Sequence, residues 1–283
     1  MRRFKLGFKL AGQSWRVLRG HPALLSFPLV GALFAVVLVG PPAGVGAWLL
    51  DRGDTVPGIA VLVVALYLIS FITAFMAVGL VAAADAVMRG EDASFGYGMR
   101  IASSHLAAVS GWALINAALS LVLGALESRG AGGEIAAGLV GGAWTVVSLL
   151  AIPAIALEDA GPFQAIRRSA SIFRQQWGGQ VVGMAAIGIA VFIVGILPAL
   201  LIIAVGVGIL SGGGGPGFAA GEIVLAVGIV VFAVAILVST ALRQVFAAAL
   251  YRYATTGSAP TAFAESDLRS AVRVRGGGTV AAA

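Results

Sequence analysis

The sequence predicts an all-α membrane protein, a polytopic bundle of six transmembrane helices with amphipathic interfacial helices on the cytoplasmic side. Three observations predict this fold class. The 283 residues are 60% hydrophobic and 11% charged, whereas soluble domains average about 25% charged residues. Six long runs carry no charged residue, and nearly all Lys and Arg residues flank these runs on one side. The composition therefore excludes a soluble enzyme, a nucleic-acid-binding module and a disordered protein.

The charge-free runs set the number and position of the helices. A helix needs about 20 apolar residues to cross the hydrocarbon core, and each run is long enough for one span. We predict spans at about 23–50, 57–84, 103–126, 135–157, 178–210 and 221–246. The fifth run also holds a glycine-rich outer loop, Ser211–Phe218, and we expect Pro41-Pro42 and Pro198 to kink or shorten their helices. The spans form a single membrane domain over residues 1–258, followed by a cytoplasmic tail at 259–283.

The distribution of Lys and Arg predicts the orientation of the bundle. With both termini inside, only Arg52 and Arg129 of the 18 Lys and Arg residues fall outside. Cytoplasmic loops carry an excess of these residues in membrane proteins. We therefore expect a multi-pass protein of the plasma membrane with both termini cytoplasmic. The net charge of +6 then reflects topology and attraction to anionic headgroups, not binding to nucleic acid.

Three segments outside the spans predict amphipathic helices, at residues 3–19, 93–104 and 162–177. At 100° per residue, one sector of the third segment is apolar and the neighbouring sector is basic. The apolar sector contains Phe163, Ile166, Ala170, Phe173 and Trp177. Such a helix lies flat at the headgroup level. The candidate contacts to anionic lipid headgroups are Arg16, Arg19, Arg167, Arg168 and Arg174.

Short similarities between these segments predict an internal repeat. The tripeptide at 91–93, Glu-Asp-Ala, recurs at 158–160, which is 67 residues further on. Ser14 lies 155 residues before Ser169 in a similar context. The predicted unit is one interfacial helix followed by a two-helix hairpin, present three times, as in other membrane bundles built from parallel repeats. The alternative is that any basic amphipathic loop helix looks similar.

Glycine spacing predicts where helices approach one another. Gly138 and Gly142 in the fourth span, and Gly179 and Gly183 in the fifth, are four residues apart. This spacing permits close helix packing in membranes. The alternative is chance, because the chain contains 40 glycines.

Three stretches of the chain resemble a known family. They are Gly12–Val30, Ile152–Gly178 and Ala249–Gly257, and they resemble a family of six-pass prokaryotic integral membrane proteins of unknown function. The middle stretch is also similar to the membrane domain found with some glycerophosphodiester phosphodiesterases. That similarity implies a lipid-facing helical module and no activity, because the metal-binding barrel of those enzymes has no counterpart here. The family offers no catalytic residues to carry over.

The inventory of reactive side chains argues against an enzyme. The only histidines are His21 and His105, there is no cysteine, and the common zinc, phosphate-loop and nucleophile motifs are missing. We therefore expect no catalytic residues, no cofactor and no metal site. The acidic pairs Glu91-Asp92 and Glu158-Asp159 are interpreted as favourable charges at helix N-termini.

A polar stripe on the third span is the one candidate path across the membrane. Its residues fall within about 80° of one another and cover about 33 Å. They are His105, Trp112, Asn116, Ser120 and Glu127. One interpretation is a transport path with His105 at its inner mouth. The alternative is that Asn116 and Ser120 form hydrogen bonds with neighbouring helices.

Two functions remain open at this point. The first is a non-enzymatic membrane protein that transports or handles lipid or other small molecules. The second is a membrane scaffold or interaction subunit that binds partner membrane proteins. The expected partner is a lipid bilayer with anionic headgroups, and both a homo-oligomer and a partner membrane protein stay open.

Overall fold

The computed structural model describes residues 2–177, 192–211, 217–260, 263–265 and 268. Within these ranges the chain forms nine helices and no strand, and six helices are long and apolar enough to cross a membrane. The predicted all-α, six-span fold class is confirmed. Some predictions lie outside the described residues: the first part of the fifth span with Gly179 and Gly183, most of the glycine-rich loop, and most of the tail.

The helices follow one another with short connections. Their bounds are α1 Arg2–Gly20, α2 Pro22–Asp51, α3 Thr55–Met88, α4 Phe95–Ser104, α5 Leu106–Glu127, α6 Ala131–Glu158, α7 Pro162–Trp177, α8 Phe192–Ser211 and α9 Gly217–Thr256. The candidate spans are α2, α3, α5, α6, α8 and α9, whereas α1, α4 and α7 are the amphipathic helices. We call the side that carries the amphipathic helices the terminal side, and the opposite side the far side.

Widened turns precede two of the proline sites within the spans, whereas Pro153 lies inside the continuous α-helix α6. A π-helical turn at Ala35–Val39 precedes Pro41 and Pro42 in α2, and another at Phe192–Ile196 precedes Pro198 in α8. Proline has no N–H group and its ring collides with the carbonyl four residues earlier, so a regular α-turn is disfavoured there. Neither helix ends at its prolines: α2 continues to Asp51 and α8 continues to Ser211.

The nine helices form three consecutive units, each an amphipathic helix followed by a hairpin: α1–α2–α3, α4–α5–α6 and α7–α8–α9. We call the last helix of each unit its closing helix. The closing helices α3, α6 and α9 all contact one another. Each closing helix also packs against the amphipathic helix of the next unit: α4 on α3, α7 on α6, and α1 on α9. The last contact closes a ring, which agrees with the predicted threefold repeat.

Equivalent positions of two amphipathic helices are buried. The pairs, 155 residues apart, are Leu10 and Ala165, Ser14 and Ser169, and Val17 and Ile172. In α4 the same four-residue spacing buries Gly98 and Ala102. Each amphipathic helix therefore turns one sector toward the bundle, in addition to its apolar and charged sectors.

Burial in the six spans is concentrated on the terminal side. Large side chains such as Phe27, Leu80, Ile155 and Phe246 are buried there. In the far-side halves, the buried described residues are all small. They are Gly46, Gly58, Ala65, Ser70, Ala117, Ala137, Ala199, Gly206, Gly221 and Gly228. The bundle is thus tightly packed at its terminal side and loosely packed at its far side.

Far-side packing occurs within individual hairpins. A Cβ atom added to Gly46 would lie 2.7 Å from Leu62 Cγ, which shows how closely α2 and α3 approach. Gly206 of α8 lies equally close to the backbone of Leu225 in α9. By contrast, no atom lies within 4 Å of a Cβ added at Gly138 or Gly142. The prediction of close packing at those two glycines is therefore wrong.

The contact between α4 and α3 provides a test of the fold. A Cβ at Gly98 would collide with the carbonyl oxygen of Gly79 and with the Phe27 ring, whereas one at Gly96 meets only Ser94 Oγ, at 3.7 Å. We expect Gly98→Ala to destabilise the protein by about 1–3 kcal/mol through overpacking. Gly96→Ala should have little effect. Thermal unfolding in detergent measures both, and equal midpoints would contradict the packing described.

Candidate functional site

A buried carboxylate in α3 lies at the centre of the terminal side. The Asp85 side chain is 5% exposed, and its Oδ1 accepts a hydrogen bond from Arg252 Nη1 of α9 at 2.9 Å. Its Oδ2 is paired with Arg89, one turn further along. A carboxylate in a membrane helix is costly unless it is paired, so two arginines on one aspartate make its burial tolerable. This ion pair joins the closing helices of the first and third units.

Arg89 extends the network to the connection that follows α3. Its guanidinium forms two parallel hydrogen bonds with Glu91, Nε to Oε1 at 2.6 Å and Nη2 to Oε2 at 2.8 Å. Such bidentate pairs are among the stronger polar contacts in proteins. The bond to Arg89 lowers the pKa of the Glu91 carboxyl, so this carboxyl stays ionised.

A second ion pair joins the second and third units. Arg168 of α7 donates from Nε and Nη2 to the two carboxylate oxygens of Glu158, both at 3.0 Å. This contact raises the pKa of the Arg168 guanidinium. Tyr251 of α9 is only 2% exposed and lies near the same pair, and its hydroxyl has no hydrogen-bond partner among the described residues. The residue beside Arg252 in sequence thus lies near the second ion pair.

A third contact involves His105, at the junction of α4 and α5. Its Nε2 lies 3.1 Å from Asp159 Oδ1, and its Nδ1 lies 2.7 Å from the carbonyl oxygen of Ile101. Both ring nitrogens thus lie within hydrogen-bond distance of an oxygen atom. Asp159 has a left-handed backbone with φ of 53°, which is rare outside glycine. The pair links the second unit to the connection before α7.

These contacts change the interpretation of the two acidic pairs. Glu91 and Glu158 bind arginines, and Asp159 faces His105. The start of α4 is instead capped by Ser94, whose Oγ accepts the Tyr97 amide at 3.2 Å. The polar network therefore closes the terminal side by bonds between units.

The residues of the predicted polar stripe lie in different environments in the structure. Trp112 is buried and stacks on Trp144 with ring centroids 5.2 Å apart, and Trp144 Nε1 donates to Asn116 Oδ1 at 2.8 Å. Ser120 is exposed and its hydroxyl donates to the Asn116 carbonyl in its own helix. Glu127 is exposed at the far end of α5, and His105 is paired with Asp159. Only Trp112 and Asn116 come together, in a contact between α5 and α6.

The predicted headgroup contacts fall into two groups. Arg16, Arg19, Arg167 and Arg174 are exposed on the amphipathic helices. Arg168 is instead held by Glu158. Phe163, in the predicted lipid-facing sector of α7, is 68% exposed. The side chains of Phe173 and Trp177 lie outside the described residues.

The α9 face that carries Arg252 is buried near Arg252 and becomes exposed toward the far side. At 100° per residue, Val245, Ala241, Val234 and Val227 all lie within about 20° of Arg252. Val245 and Ala241 are buried, whereas Val234 is 52% and Val227 is 49% exposed. The same face is therefore packed at the ion pair and open toward the far side.

The α3 face that carries Asp85 shows the same change. Val78, Ala74, Ala60 and Val56 lie within about 20° of Asp85 by the same periodicity. The first two are buried, whereas Ala60 and Val56 are exposed. Helices α3 and α9 thus pack against each other at the Asp85–Arg252 pair, and the same two faces are exposed toward the far side. We call these two exposed apolar faces, taken together, the far-side cleft.

A family model matches residues 29–261, from α2 to the end of α9 and beyond. The chain belongs to this family of unknown function (DUF6159). No curated protein and no solved structure matches the chain. The predicted membership of a membrane-protein family of unknown function is confirmed in this coarser form, whereas no link to glycerophosphodiester phosphodiesterases is shown.

The polar residues of this DUF6159 member were only partly visible in its sequence. The predicted second span stops at residue 84 and leaves Asp85 just outside it. An aspartate and an arginine four residues apart at the end of an apolar helix are the available signal, because intramembrane charges seek partners. Arg252 lies 167 positions from Asp85, and no local pattern links them. Across the described residues, no cluster of His, Asp and Glu could hold a metal ion.

The Asp85–Arg252 pair can be tested by a double-mutant cycle. We expect Arg252→Gln to destabilise this family member by about 2–3 kcal/mol, because the buried carboxylate keeps only Arg89. Asp85→Asn combined with Arg252→Gln should cost less than the two single changes added together. Arg243→Gln, on the same helix and exposed, is the matched control. Additive losses in chemical unfolding would show that the pair does not couple α3 to α9.

Proposed function

We propose that this protein is a non-enzymatic membrane protein that handles lipid by holding acyl chains in the far-side cleft. The observation that supports this proposal is the loss of burial along the facing sides of α3 and α9. The cleft walls carry aliphatic side chains such as Val56, Ala60, Val227 and Val234, all exposed. Apolar walls of this kind suit hydrocarbon chains, which need no hydrogen-bond partner.

A polar solute fits these walls poorly. Within the membrane a polar ligand needs partners from side chains or water, and the cleft faces named above offer none. The polar groups of α5 do not supply them, because Asn116 is bonded to Trp144 and Ser120 to its own helix. The geometry therefore favours lipid handling over transport of a hydrophilic substrate along the stripe.

The terminal side limits how far a chain can enter. The Asp85–Arg252 pair and the buried residues around it close the bundle there. An acyl chain entering sideways from the far-side leaflet would end against this packed layer. The protein would thus hold lipid on one side of the membrane.

We further propose that the terminal side is cytoplasmic and that the membrane is the plasma membrane. The support is the Lys and Arg distribution, in which only Arg52 and Arg129 lie in far-side connections. The far-side cleft then opens to the outer leaflet.

Lipid retention tests the function. The purified protein is expected to keep phospholipid through detergent exchange, measured by native mass spectrometry. Val227→Trp combined with Val234→Trp fills the cleft and should remove most of that lipid. Leu114→Trp, on the exposed surface of α5, adds similar bulk elsewhere and should not. Equal retention by both variants would contradict lipid binding in the cleft, and a co-purifying protein in place of lipid would favour the scaffold function.

Cysteine labelling tests the orientation. The chain has no native cysteine, so single replacements of Asp54, Ser128 and Ser94 give clean probes. In intact cells an impermeant maleimide should label the first two sites and leave the third unlabelled. Ser94 should react after lysis, and its labelling before lysis would reverse the proposed orientation.

A further inference from the structure

A cavity of about 420 Å³ lies between the end of α1 and the end of α3. It is lined by Arg16, Val17, Gly20, His21, Val87, Met88 and Gly90. The cavity is on the terminal side, opposite the far-side cleft. Its lining combines two basic side chains with three apolar ones, a mixture suited to a ligand that is partly polar and partly apolar.

The two basic side chains are available to a ligand. Arg16 and His21 are exposed, and neither forms an ion pair or side-chain hydrogen bond within the described part of the chain. By contrast, Arg89, which immediately precedes Gly90, forms ion pairs with Asp85 and Glu91. A guanidinium binds phosphate through paired N–H donors, and a histidine ring offers an N–H donor in either protonation state. These groups therefore favour a phosphate ester.

Backbone carbonyl groups in the lining supply hydrogen-bond acceptors for a positively charged part of the ligand. Gly20 and Met88 are the last residues of α1 and α3, and the final carbonyls of a helix lack partners within it. The His21 amide bonds to Val17 and Leu18, and the Gly90 amide bonds to Val87. Backbone hydrogen bonds among the described residues thus leave the carbonyls of Gly20 and Met88 as free acceptors. The ends of two helix dipoles also favour a positive charge there.

We propose that this cavity binds a phosphate ester carrying a primary ammonium, the chemistry of a phosphoethanolamine headgroup. The phosphate lies against Arg16 and His21, and the ammonium donates to the carbonyls at the two helix ends. Val17, Val87 and Met88 contact the apolar part of the ligand. The site is on the terminal side, so it does not depend on lipid binding in the far-side cleft.

The site is tested on the full-length protein reconstituted with equal amounts of phosphatidylethanolamine, phosphatidylcholine and phosphatidylglycerol. Native mass spectrometry after detergent extraction measures which lipid each variant retains. We expect the wild type to prefer phosphatidylethanolamine, because a choline group has no N–H donor and a glycerol group has no charge. Arg16→Gln should reduce this retention about tenfold, as expected for loss of a charge-assisted hydrogen bond.

Matched variants separate binding from folding. Arg19→Gln removes the same charge from the same helix but not from the cavity, and it should retain the wild-type preference. His21→Asn is the second variant, useful if Arg16→Gln unfolds, and it should also weaken retention. The double tryptophan variant of the far-side cleft should keep the headgroup preference, so failure of one proposal is distinguishable from failure of the other.

The source of the ligand is decided by a soluble competitor. If the cavity binds the headgroup of a lipid that stays in the bilayer, phosphoethanolamine added at millimolar concentration should not displace that lipid. Displacement by phosphoethanolamine, but not by inorganic phosphate, would support the same chemistry and assign it to a soluble ester. Equal retention of phosphatidylethanolamine and phosphatidylcholine, or equal losses from Arg16→Gln and Arg19→Gln, would overturn the proposal.

Discussion

The buried carboxylate of Asp85 is the constraint on which the arrangement depends. A buried charge needs compensation, and Arg89, which directly follows α3, supplies one partner. The second partner, Arg252, comes from the last helix, so burying Asp85 also brings the first and third units together. The Glu158–Arg168 pair beside Tyr251 does the same for the second and third units. Polar bonds between units therefore hold one side of an otherwise apolar bundle.

Apolar burial gives little attraction between helices in lipid, because acyl chains are as apolar as leucine side chains. In parts of the bundle without polar bonds between helices, tight packing requires small residues that allow the helices to approach closely. On the far side such residues lie within hairpins, as at Gly46 and Gly206, while the faces of α3 and α9 carry valines. The hairpins stay paired, whereas the far-side faces of α3 and α9 are exposed. The far-side cleft thus follows from where the polar and small residues occur along each helix.

The sequence predicted most of the fold and little of the site. Charge-free runs and helical periodicity predict spans and amphipathic helices because both depend on local composition. The buried sector of α7, with Ala165 and Ser169, was hidden because small residues resemble either environment. The Trp144–Asn116 and Arg252–Asp85 bonds join distant positions, and no single-sequence pattern selects among such pairs. The expected packing at Gly138 failed because glycine frequency alone does not show what faces each glycine.

Pulsed electron paramagnetic resonance directly measures how far α3 and α9 separate toward the far side. Spin labels replace Val56 and Ile223 on the far side in one variant, and Asp92 and Thr255 on the terminal side in another, all four being exposed. Packed helices lie about 8–10 Å apart. We expect a short distance for the terminal pair and a clearly longer one for the far-side pair in lipid vesicles. Equal distances at both ends would show that the two helices run side by side along their whole length and leave no far-side cleft.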